Sequence, residues 1–488
     1  MNEATAREYL ARGLHEIQAK QPDWIYRERY YRGEQDLPYA PVGVNAEYMS
    51  LREMAIANWL QLAMDSPVQR LRAEGFRTGR DKDADTTTWN EVWQANKLDS
   101  RQRIPFTQMM VHGRGVMSVW PNAKNIKSPI IRPESGKRVH IGMDPEDPFT
   151  PLYAVKTFEI EGFNSGLWTP GNLAGTKSVA VVYTASEWVR FEKTGTATLG
   201  GWQVVNGGPH ELGAVPFVPF DNRQDADGNS SSGIAPLIPA QDAINTIRFN
   251  TLLAMQFSAF RQRVFTGYDP VMRDETGNPI WRKNPAGGLL LDANGQPQPS
   301  LSSPGRVGVD RALVFPGKDT KVFDLAESNL DNYIKVLGEF LTDLFAVAQI
   351  PPQYLLNRMS NLSGDALAGA ESTLSSLVSD LQRWTGESLE EVMRLANRAR
   401  GEDEPDIASE VIWADAEARS FAQTVDAIVK LTATGFPREA GFEMIPGSTP
   451  QKVGRWLGMV EEEQKDPYLS LLAEKGSASA APVPATVS

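Results

Sequence analysis

A long stripe of apolar residues with helical spacing, in the last third of the chain, constrains the fold most. It follows Pro351-Pro352, which must end any earlier helix because proline lacks the backbone N–H and disfavours helix in the residue before it. Ser363 is a suitable N-cap, and Gly401 with the acidic run behind it ends the pattern. The stripe consists of Leu367, Ala370, Leu374, Leu377, Leu381, Trp384, Leu389, Val392 and Leu395. The spacing predicts one helix over 364–400, about 55 Å long if it is unbroken, with a soft point at Gly386.

Two further helices are predicted upstream, on either side of an insert. The first spans 236–263, and the second begins at Ser328 or Asn329 and ends before the proline pair. The first stripe contains Phe249, Leu253, Phe257 and Phe260; the second contains Leu330, Tyr333, Leu337, Phe340, Leu344 and Ala348. The insert, 264–325, is rich in Gly, Pro and Asn and contains short strand candidates at 288–291 and 312–315.

The segment from about 104 to 225 predicts a β-rich body. Runs dominated by Val, Phe, Tyr and Trp are separated by Gly, Pro and Asn clusters. The runs are 116–120, 151–160, 179–184, 187–192, 202–205 and 215–220. Helical segments broken at 37–41 fill the first 60 residues, and 411–413, 416–434 and 450–463 predict a strand and two helices. No internal repeat is evident, and the fold class expected is α+β, mainly helical.

Length and composition limit the function classes. A chain of 488 residues suggests roughly three domains or one elongated, multi-part subunit. The absence of Cys excludes disulfides, thiolate zinc sites and Cys nucleophiles. A net charge of −12 argues against a surface that grips nucleic acid but suits a wall past which DNA slides. The polar, acidic start is not a signal peptide, and no stretch approaches 18 uncharged apolar residues, so a soluble protein made in the cytoplasm is expected.

Catalytic and metal-binding motifs are missing from the sequence. It contains no GxxxxGK[ST] phosphate loop, no GxGxxG and no GxSxG. His15, His112, His140 and His210 stand alone, so they are expected at the surface or at strand ends. The run 225–229 superficially resembles a calcium loop, but Ser230 and Pro236 occupy the positions that require Gly and Glu. A solvated loop is therefore expected there.

Carboxylate clusters at 144–147 and 402–406 leave an enzyme as one alternative. Paired acids can serve as general acid and base, so a carboxylate-dependent hydrolase would lose turnover when Glu146 or Asp147 is neutralised. Both clusters lie in proline-containing turns, which favours solvated turns instead. Basic pairs are too sparse for a phosphate track and are expected to be helix-end charges or salt-bridge partners; they are Arg70 with Arg72 and Arg261 with Arg263.

Several short motifs occur in one order along residues 26–465, and that order resembles the portal proteins of tailed bacteriophages, in particular the branch from long-tailed siphophages. The similar segments are Tyr30-Tyr31-Arg32-Gly33 with Leu37 and Pro38; Arg70-Leu71 with Gly75-Phe76; Trp93, Asn96, Leu98 and Asp99; 113–119; 212–220 with Asn222; Gly233-Ile234 with 241–245; and 361–364 with Ala366-Leu367. Each motif is short, and their shared order is what identifies the chain as a member of this family.

The resemblance implies the portal fold and a division of the chain. On that basis the regions are a wing, 1–235; stem helix 1, 236–262; a clip, 263–325; stem helix 2, 326–349; a tunnel loop, 350–363; a long helix returning to the wing, 364–404; a crown, 405–475; and a disordered tail, 476–488. The implied function is a ring, usually twelve-fold, at a unique capsid vertex of the virion. It acts as the channel for DNA packaging and ejection and joins head to tail.

The resemblance also implies site residues and partners, with no enzyme activity, cofactor, metal or membrane. The tunnel residues expected to face DNA are Gln353, Tyr354, Asn357, Arg358, Ser360 and Asn361; the stem residues expected between subunits are Phe249, Leu253, Phe257, Phe260, Tyr333, Leu337, Phe340 and Leu344. Arg358 could contact phosphate or pair with a neighbouring subunit. The implied partners are further copies of the chain, the terminase large subunit, the head–tail adaptor, scaffold and major capsid proteins, and double-stranded DNA. Another head–tail connector ring protein is the second alternative.

Overall fold

The structure is a computed structural model. It describes residues 1–40, 48–77, 85–160, 177–194, 201–259, 263–266, 271–285, 287–301, 321–324, 330–351, 364–402, 409–415, 421–445, 447–448 and 450–465. Both helices and sheets are present, as the α+β class requires. The chain divides into two compact units. The body unit comprises Met1–Leu37, Ile56–Asn245 and Glu339–Ser488, and the insert unit comprises Pro38–Ala55 and Thr246–Gly338.

Antiparallel sheets form the centre of the body unit. The strands are β1 (Ala73–Arg77), β2 (Arg114–Trp120), β3 (Ile130–Glu134), β4 (Val139–Met143), β5 (Pro151–Ile160), β6 (Lys177–Tyr183), β7 (Glu187–Thr194), β8 (Gln203–Pro209), β9 (Phe217–Asp221) and β12 (Glu410–Trp413). A three-stranded sheet has the order β3-β2-β9, a five-stranded sheet has the order β4-β5-β6-β7-β8, and β1 pairs with β12. Val116, Ile141, Ala154 and Phe217 belong to one buried cluster that joins strands of the two larger sheets.

The first helix, α1 (Glu3–Arg32), covers the five-stranded sheet. Its Ala6 and Leu10 are buried in one cluster with Val155, Val182 and Phe191 of the sheet. Asn2 caps its start by accepting a hydrogen bond from the backbone N–H of Thr5, and Gly33 ends it with φ +74°.

Shorter helical segments lie between α1 and β2. They are α2 (Leu51–Ala55), α3 (Trp59–Arg70), α4 (Thr86–Thr88), a π-helical turn (Trp89–Gln94), α5 (Leu98–Arg101) and α6 (Arg103–His112). Helix α6 packs on β2, and Gly115 permits the close approach because a Cβ atom there would lie 2.1 Å from the carbonyl oxygen of Pro105. The backbone of α6 therefore rests directly on the sheet.

The predicted long helix is present without a break as α9 (Gly364–Arg400). Its apolar stripe packs on β9, β2 and α3, with Leu374, Leu381 and Leu389 almost completely buried. The helix continues through Gly386, as predicted, and the softness expected at this glycine stays a prediction. A Cβ atom there would meet the ring of Trp413 at an ordinary van der Waals distance of 3.7 Å.

Three C-terminal helices follow α9 and β12. They are α10 (Phe421–Ala433), α11 (Arg438–Glu443) and α12 (Pro450–Lys465). Phe442 and Trp456 meet edge to face, with ring centroids 5.9 Å apart, and Val453 is buried. The predicted disordered tail at 476–488 lies outside the described residues.

The insert unit has a small core of its own. Phe249 of α7 (Ile238–Ala259) is completely buried together with Leu51 and Ala55. The helix α8 (Leu330–Val347) and the paired strands β10 (Arg263–Thr266) and β11 (Lys321–Asp324) complete its regular elements. The division into units falls within both α7 and α8.

Residues 271–301 of the insert form two closed hydrogen-bonded triangles. Met272 donates to Ser300, Ser300 to Ile280 and Ile280 back to Met272, over N···O distances of 2.6–2.8 Å. Arg282, Gln298 and Leu290 form the second triangle in the same way. Because each triangle is closed, these backbone groups offer no free strand edge.

Three turns of one kind join neighbouring corners within these triangles, and they correct the expectation that the chain has no internal repeat. In each turn an Asp or Asn carboxyl or amide oxygen accepts from the backbone N–H four residues on, and a later Gly has positive φ. The turns begin at Asp274, Asn284 and Asp292 and contain Gly277, Gly287 and Gly295. Strand candidate 288–291 contributes two isolated bridges, whereas 312–315 lies outside the described residues.

Candidate functional site

The predicted stem helix 1 begins in a buried network of hydrogen bonds between side chains and backbone. The Gln241 side-chain amide donates to the carbonyl oxygen of Ala57 at 2.6 Å, and its carbonyl oxygen accepts from the N–H of Trp59 at 3.1 Å. Asn245, one turn later, accepts from the N–H of Ala57 at 3.1 Å. Gln241 and Asn245 are 0% and 2% exposed, so they serve to fix the start of α7 to the segment before α3.

A second polar contact joins the start of α7 to α1. The hydroxyl of Tyr30 lies 2.9 Å from both carboxylate oxygens of Asp242 and donates to this group. Burial is the main cause of the raised pKa of Tyr30, so the phenol keeps its proton and can donate. Burial also raises the pKa of Asp242, although the hydrogen bond from Tyr30 opposes that effect. Sequence analysis places these residues in two separate family motifs, and the structure brings the motifs together.

The predicted subunit-facing residues of α7 occupy different environments. Phe249 is buried within its own chain, and Leu253 is half-buried. The side chain of Phe257 and the whole of Phe260 lie outside the described residues. A contact between these residues and another subunit stays a prediction.

Helix α8 exposes much of its apolar surface. Ile334 is 62% exposed, Val336 46%, Phe340 37% and Val347 64%. Tyr333 and Leu337 are half-buried. Val336, Phe340 and Val347 recur at helical spacing and share one face, whereas Ile334 lies off it. Since soluble monomers rarely leave a large apolar patch open to water, that face of α8 is suited to a further protein partner.

The C-terminal end of α8 is fixed inside the body unit. Leu344 and Phe345 are 1% and 2% exposed, and the ring of Phe345 meets that of Trp59 edge to face at 5.7 Å. Ile350 is 4% exposed and ends the described part of this segment together with Pro351. The predicted tunnel residues all follow it, outside the described residues: Gln353, Tyr354, Asn357, Arg358, Ser360 and Asn361.

The other family motifs fold into scaffold contacts. Trp93 is completely buried and donates from Nε1 to the Asp99 carboxylate at 2.8 Å. Asn96 donates to the carbonyl of Pro129 and accepts from the N–H of Ile131, which fixes the start of β3. These residues hold elements together and do not surround a reactive centre.

Arg70 and Arg72 act in ion pairs, as predicted. Arg70 lies 3.5 Å from Glu371, and Arg72 pairs with Glu74. Arg261 and the side chain of Arg263 lie outside the described residues.

The carboxylates considered for catalysis instead form turns. Asp144 accepts from the N–H of Glu146, and Asp147 accepts from the hydroxyl of Thr150 at 2.6 Å. The Thr150 hydrogen bond is the main reason that the pKa of Asp147 lies below its usual range. A general acid needs the opposite shift, so Asp147 is unsuited to that role. Of the second cluster, Glu402 pairs with Arg400 at 2.8 Å, and 403–406 lie outside the described residues.

The expectation of surface or strand-end positions for the histidines is wrong for His112. His112 ends α6 and stacks on Trp24 with ring centroids 3.8 Å apart, and burial lowers its pKa to about 3. His140 is the second residue of β4, close to the strand end as expected, and burial lowers its pKa to about 4. The residues around His112 in the sequence do not indicate its stacking on Trp24, because the two residues are distant in sequence.

Metal binding and membrane insertion find no support in the described part of the chain. Asp225 accepts from the N–H groups of Asp227 and Asn229, which is a turn of the expected solvated kind. No group of three or more metal-ligating side chains occurs among the described residues. None of the helices within the described ranges is both long and apolar enough to cross a bilayer.

Comparisons with known proteins agree with the order of motifs. The family described as "Phage portal protein, SPP1 Gp6-like" matches residues 14–466. A protein named portal protein from Mycobacterium phage D29 is 28% identical over 474 residues, which covers 91% of this chain and 86% of the relative. A portal protein from Mycobacterium phage L5 is 28% identical over 430 residues, covering 84% of this chain and 79% of that relative.

Proposed function

Because the chain belongs to the SPP1 Gp6-like family of phage portal proteins, we propose that it closes into a ring, usually of twelve copies, around a channel for double-stranded DNA. Its function is that of a phage portal, and the family is structural rather than enzymatic. Phage portal proteins are virion components, and the family implies a ring associated with the capsid. The family assignment, which covers nearly the whole chain, replaces both alternatives, the hydrolase and the shorter connector ring protein.

The finer roles in this proposal follow the division of the chain given above. The ring occupies one capsid vertex, the clip contacts the head–tail adaptor, and the terminase large subunit docks during packaging. Scaffold and major capsid proteins surround it, the tunnel loop contacts DNA, and the protein is made in the host cytoplasm. The anchored ends of α7 and α8 support this division, because a stem under load needs both helices fixed to one body.

The observation that carries the proposal is the open apolar surface of α8. In a ring with heterologous contacts, each subunit has a neighbour on both sides, so a helix can be covered by a copy of the same chain. At about 25 cal/mol per Å² of apolar surface buried, covering side chains such as Ile334 and Phe340 stabilises the assembled state. A lone subunit has no such cover for them.

A charge on this surface tests the proposal. We expect Leu337→Asp and Phe340→Asp to abolish rings, because a carboxylate cannot be solvated inside an apolar contact. Ile334→Asp is the safer third variant, because its position is 62% exposed in the single chain and is not needed for folding of the subunit. Lys335→Asp, at an exposed position on the same helix, is the matched control and should assemble.

Negative-stain electron microscopy of the purified protein measures the result as annular particles with a central hole. Rings at wild-type yield from both Phe340→Asp and Ile334→Asp would remove the assignment of α8 to the stem. A wild-type protein that stays a single globule at high concentration would contradict the proposed ring itself.

A further inference from the structure

An open apolar slot lies where α9 crosses the edge strand β9. Ser388 of α9 donates to the carbonyl oxygen of Pro219 at 2.9 Å and holds helix and strand together. Beside this contact the slot has a volume of about 500 Å³. Trp384 and Phe149 line it and are 40% and 53% exposed. Aromatic rings that line a concave, solvent-open surface are typical anchor positions of protein interfaces.

The rim of this slot carries negative charge. Glu387 and Glu391 lie one turn apart on α9 and both line the slot. Glu391 forms an ion pair with Arg394 at 2.7 Å, and Arg394 also pairs with Glu390. Glu387 has no ion pair with any residue that the structure describes. A third carboxylate, Asp221, is engaged by Arg114. The slot therefore suits an apolar side chain that comes with basic neighbours.

A surface with those properties occurs on the same chain, in the loop between β2 and β3. Ile126 at its tip is 65% exposed. Lys124 and Lys127 flank it and are exposed too. Among the described residues Lys127 forms an ion pair with Glu91 alone, at 3.8 Å, and 71% of its side chain is exposed. An isoleucine held in water between two lysines is unfavourable in a lone subunit and suits insertion into an acidic, apolar slot.

The loop is already fixed in this shape. Asn122 accepts from the N–H of Lys124 and donates to the carbonyl of Ser128, and Asn125 accepts from the N–H of Lys127 and donates to the hydroxyl of Ser128. Two backbone turns, from Asn122 to Asn125 and from Asn125 to Ser128, close it. A loop ordered before contact loses little conformational entropy on binding.

The two surfaces are arranged for a contact between copies. The sheet order β3-β2-β9 puts the slot at the β9 edge, while the loop leads into β3 at the opposite edge. Both surfaces are exposed, and none of the residues that the structure describes fills either of them. A knob and a socket on opposite edges form a heterologous contact, the kind that repeats around a ring.

We propose that the loop 121–129 of one copy seats Ile126 in the Trp384–Phe149 slot of the next copy, with its lysines against Glu387 and Glu391. This inference rests on the proposed ring and names a contact within it. The contact belongs to the wing and is independent of α8, so the two can be tested separately. It is one contact in a larger interface, since a single knob covers less area than a stable interface requires.

Charge exchange in the full-length protein tests the contact. The variants are E387K/E391K, K124E/K127E, and the chain that carries all four changes; Ile126→Ser removes the knob alone. We expect each double variant to lower the ring fraction about tenfold or more, and the fourfold variant to return most of it. Mass photometry at fixed salt and protein concentration measures the ring fraction. The control is Glu159→Lys with Glu439→Lys. It changes the net charge by the same amount as E387K/E391K, but at exposed positions outside the slot.

Each outcome decides the matter. Recovery in the fourfold variant supports the contact and cannot come from misfolding, because a second pair of reversals does not repair a damaged subunit. Wild-type ring fractions in both double variants and in Ile126→Ser overturn it. Intact rings that no longer enter capsids also overturn it, because the slot then binds another protein. Absence of rings in the wild type contradicts the proposed function, and this contact with it.

Discussion

Gly115 shows how a single absent methyl group controls packing at the scale of the residue. A Cβ atom at this position would lie 2.1 Å from the carbonyl oxygen and 2.8 Å from the carbonyl carbon of Pro105. Both atoms belong to backbone, which cannot rotate away as a side chain can. We expect Gly115→Ala to lower the free energy of unfolding by about 1–3 kcal/mol or more, because α6 must shift away from β2. Equilibrium urea unfolding measures the change.

The control for this prediction is Gly454→Ala in α12, where a Cβ atom would meet nothing within 4 Å. Alanine is favoured over glycine inside a helix by about 0.5–1 kcal/mol, so this variant should be neutral or more stable. Equal losses of stability in the two variants would mean that the contact with Pro105 is not the cause.

His112 gives a prediction about pH. Burial lowers its pKa from 6.5 to about 3, and the positive charge of Arg27 is the second cause. The imidazole of His112 therefore stays neutral in the folded protein. The stability gained is complete above pH 6.5 and is lost as the pH falls from 6.5 towards 3, because the unfolded chain takes up the proton first. His112→Phe keeps the stack on Trp24 and cannot be protonated.

The expected result is a smaller loss of unfolding free energy between pH 6.5 and 4 in His112→Phe than in the wild type, at up to about 1.4 kcal/mol per pKa unit. His15→Phe, at an exposed position, is the control and should leave the slope unchanged. Identical slopes in His112→Phe and the wild type would show that this ring does not titrate with folding.

The residue scale also marks a limit of sequence analysis. Tyr30 and Asp242 stand in two motifs that could be identified from the sequence, yet their contact spans 212 positions. The residues of one motif do not indicate that the other motif is its partner. The exposure of Ile126 could not be predicted from the sequence either, because it depends on how the loop folds.

At the scale of the element, periodicity predicted the long elements well. The strand predicted at 151–160 and the helix predicted at 364–400 have the same bounds in the structure. The strands β3 and β4 were missed, because each has five residues and Pro133 or Gly142 interrupts its apolar run. Gly142 is required by packing, since a Cβ atom there would lie 2.1 Å from the ring of Tyr153.

The repeated turns of the insert were missed for a different reason. Their common pattern is an Asp or Asn followed three residues later by Gly, with starts at 274, 284 and 292. Two fixed positions at unequal spacing are too few to be recognised as a repeat. The hydrogen bonds make the pattern obvious.

Adjacent glycines in the second turn allow a matched test of this repeat. Gly287 has φ +85° with open space around it, whereas Gly288 has an ordinary backbone conformation and touches only Asn284. An L-residue in the left-handed region costs roughly 1–2 kcal/mol, so Gly287→Ala should loosen the turn while Gly288→Ala is neutral. Hydrogen exchange at the amides of Leu290 and Gln298 measures the effect. Faster exchange in both variants alike would contradict the assigned role of the left-handed glycine.

At the scale of the whole molecule, the order of motifs was more informative than any motif alone. It predicted a portal protein, and the family match over residues 14–466 confirms it. The division of the chain into wing, stem, clip, tunnel loop and crown stays a prediction. The two compact units meet within the predicted stem helices, and sequence periodicity could not reveal this because α7 and α8 continue through the boundary.

The tunnel loop gives the prediction that depends on the whole assembly. The flanking segments are fixed in the body unit, with Ile350 at 4% and Leu374 at 0% exposure. Between them, 353–361 contains five polar residues among nine, with a single charge at Arg358. We expect its deletion to leave rings intact, because the contacts of α8 lie upstream of it. DNA packaging or retention should fail, because the polar groups that contact the duplex are lost.

A deletion of equal length, 476–484, serves as the control, since the sequence predicts a disordered tail there. Complementation of a portal-deficient phage, scored by filled heads in electron micrographs and by plaque yield, separates assembly from packaging. Rings with empty heads from the loop deletion, together with normal phage from the tail deletion, would locate the defect in the channel. Normal phage from both deletions would show that 353–361 does not act on DNA, because a loop that contacts the moving duplex cannot be removed without changing packaging or retention.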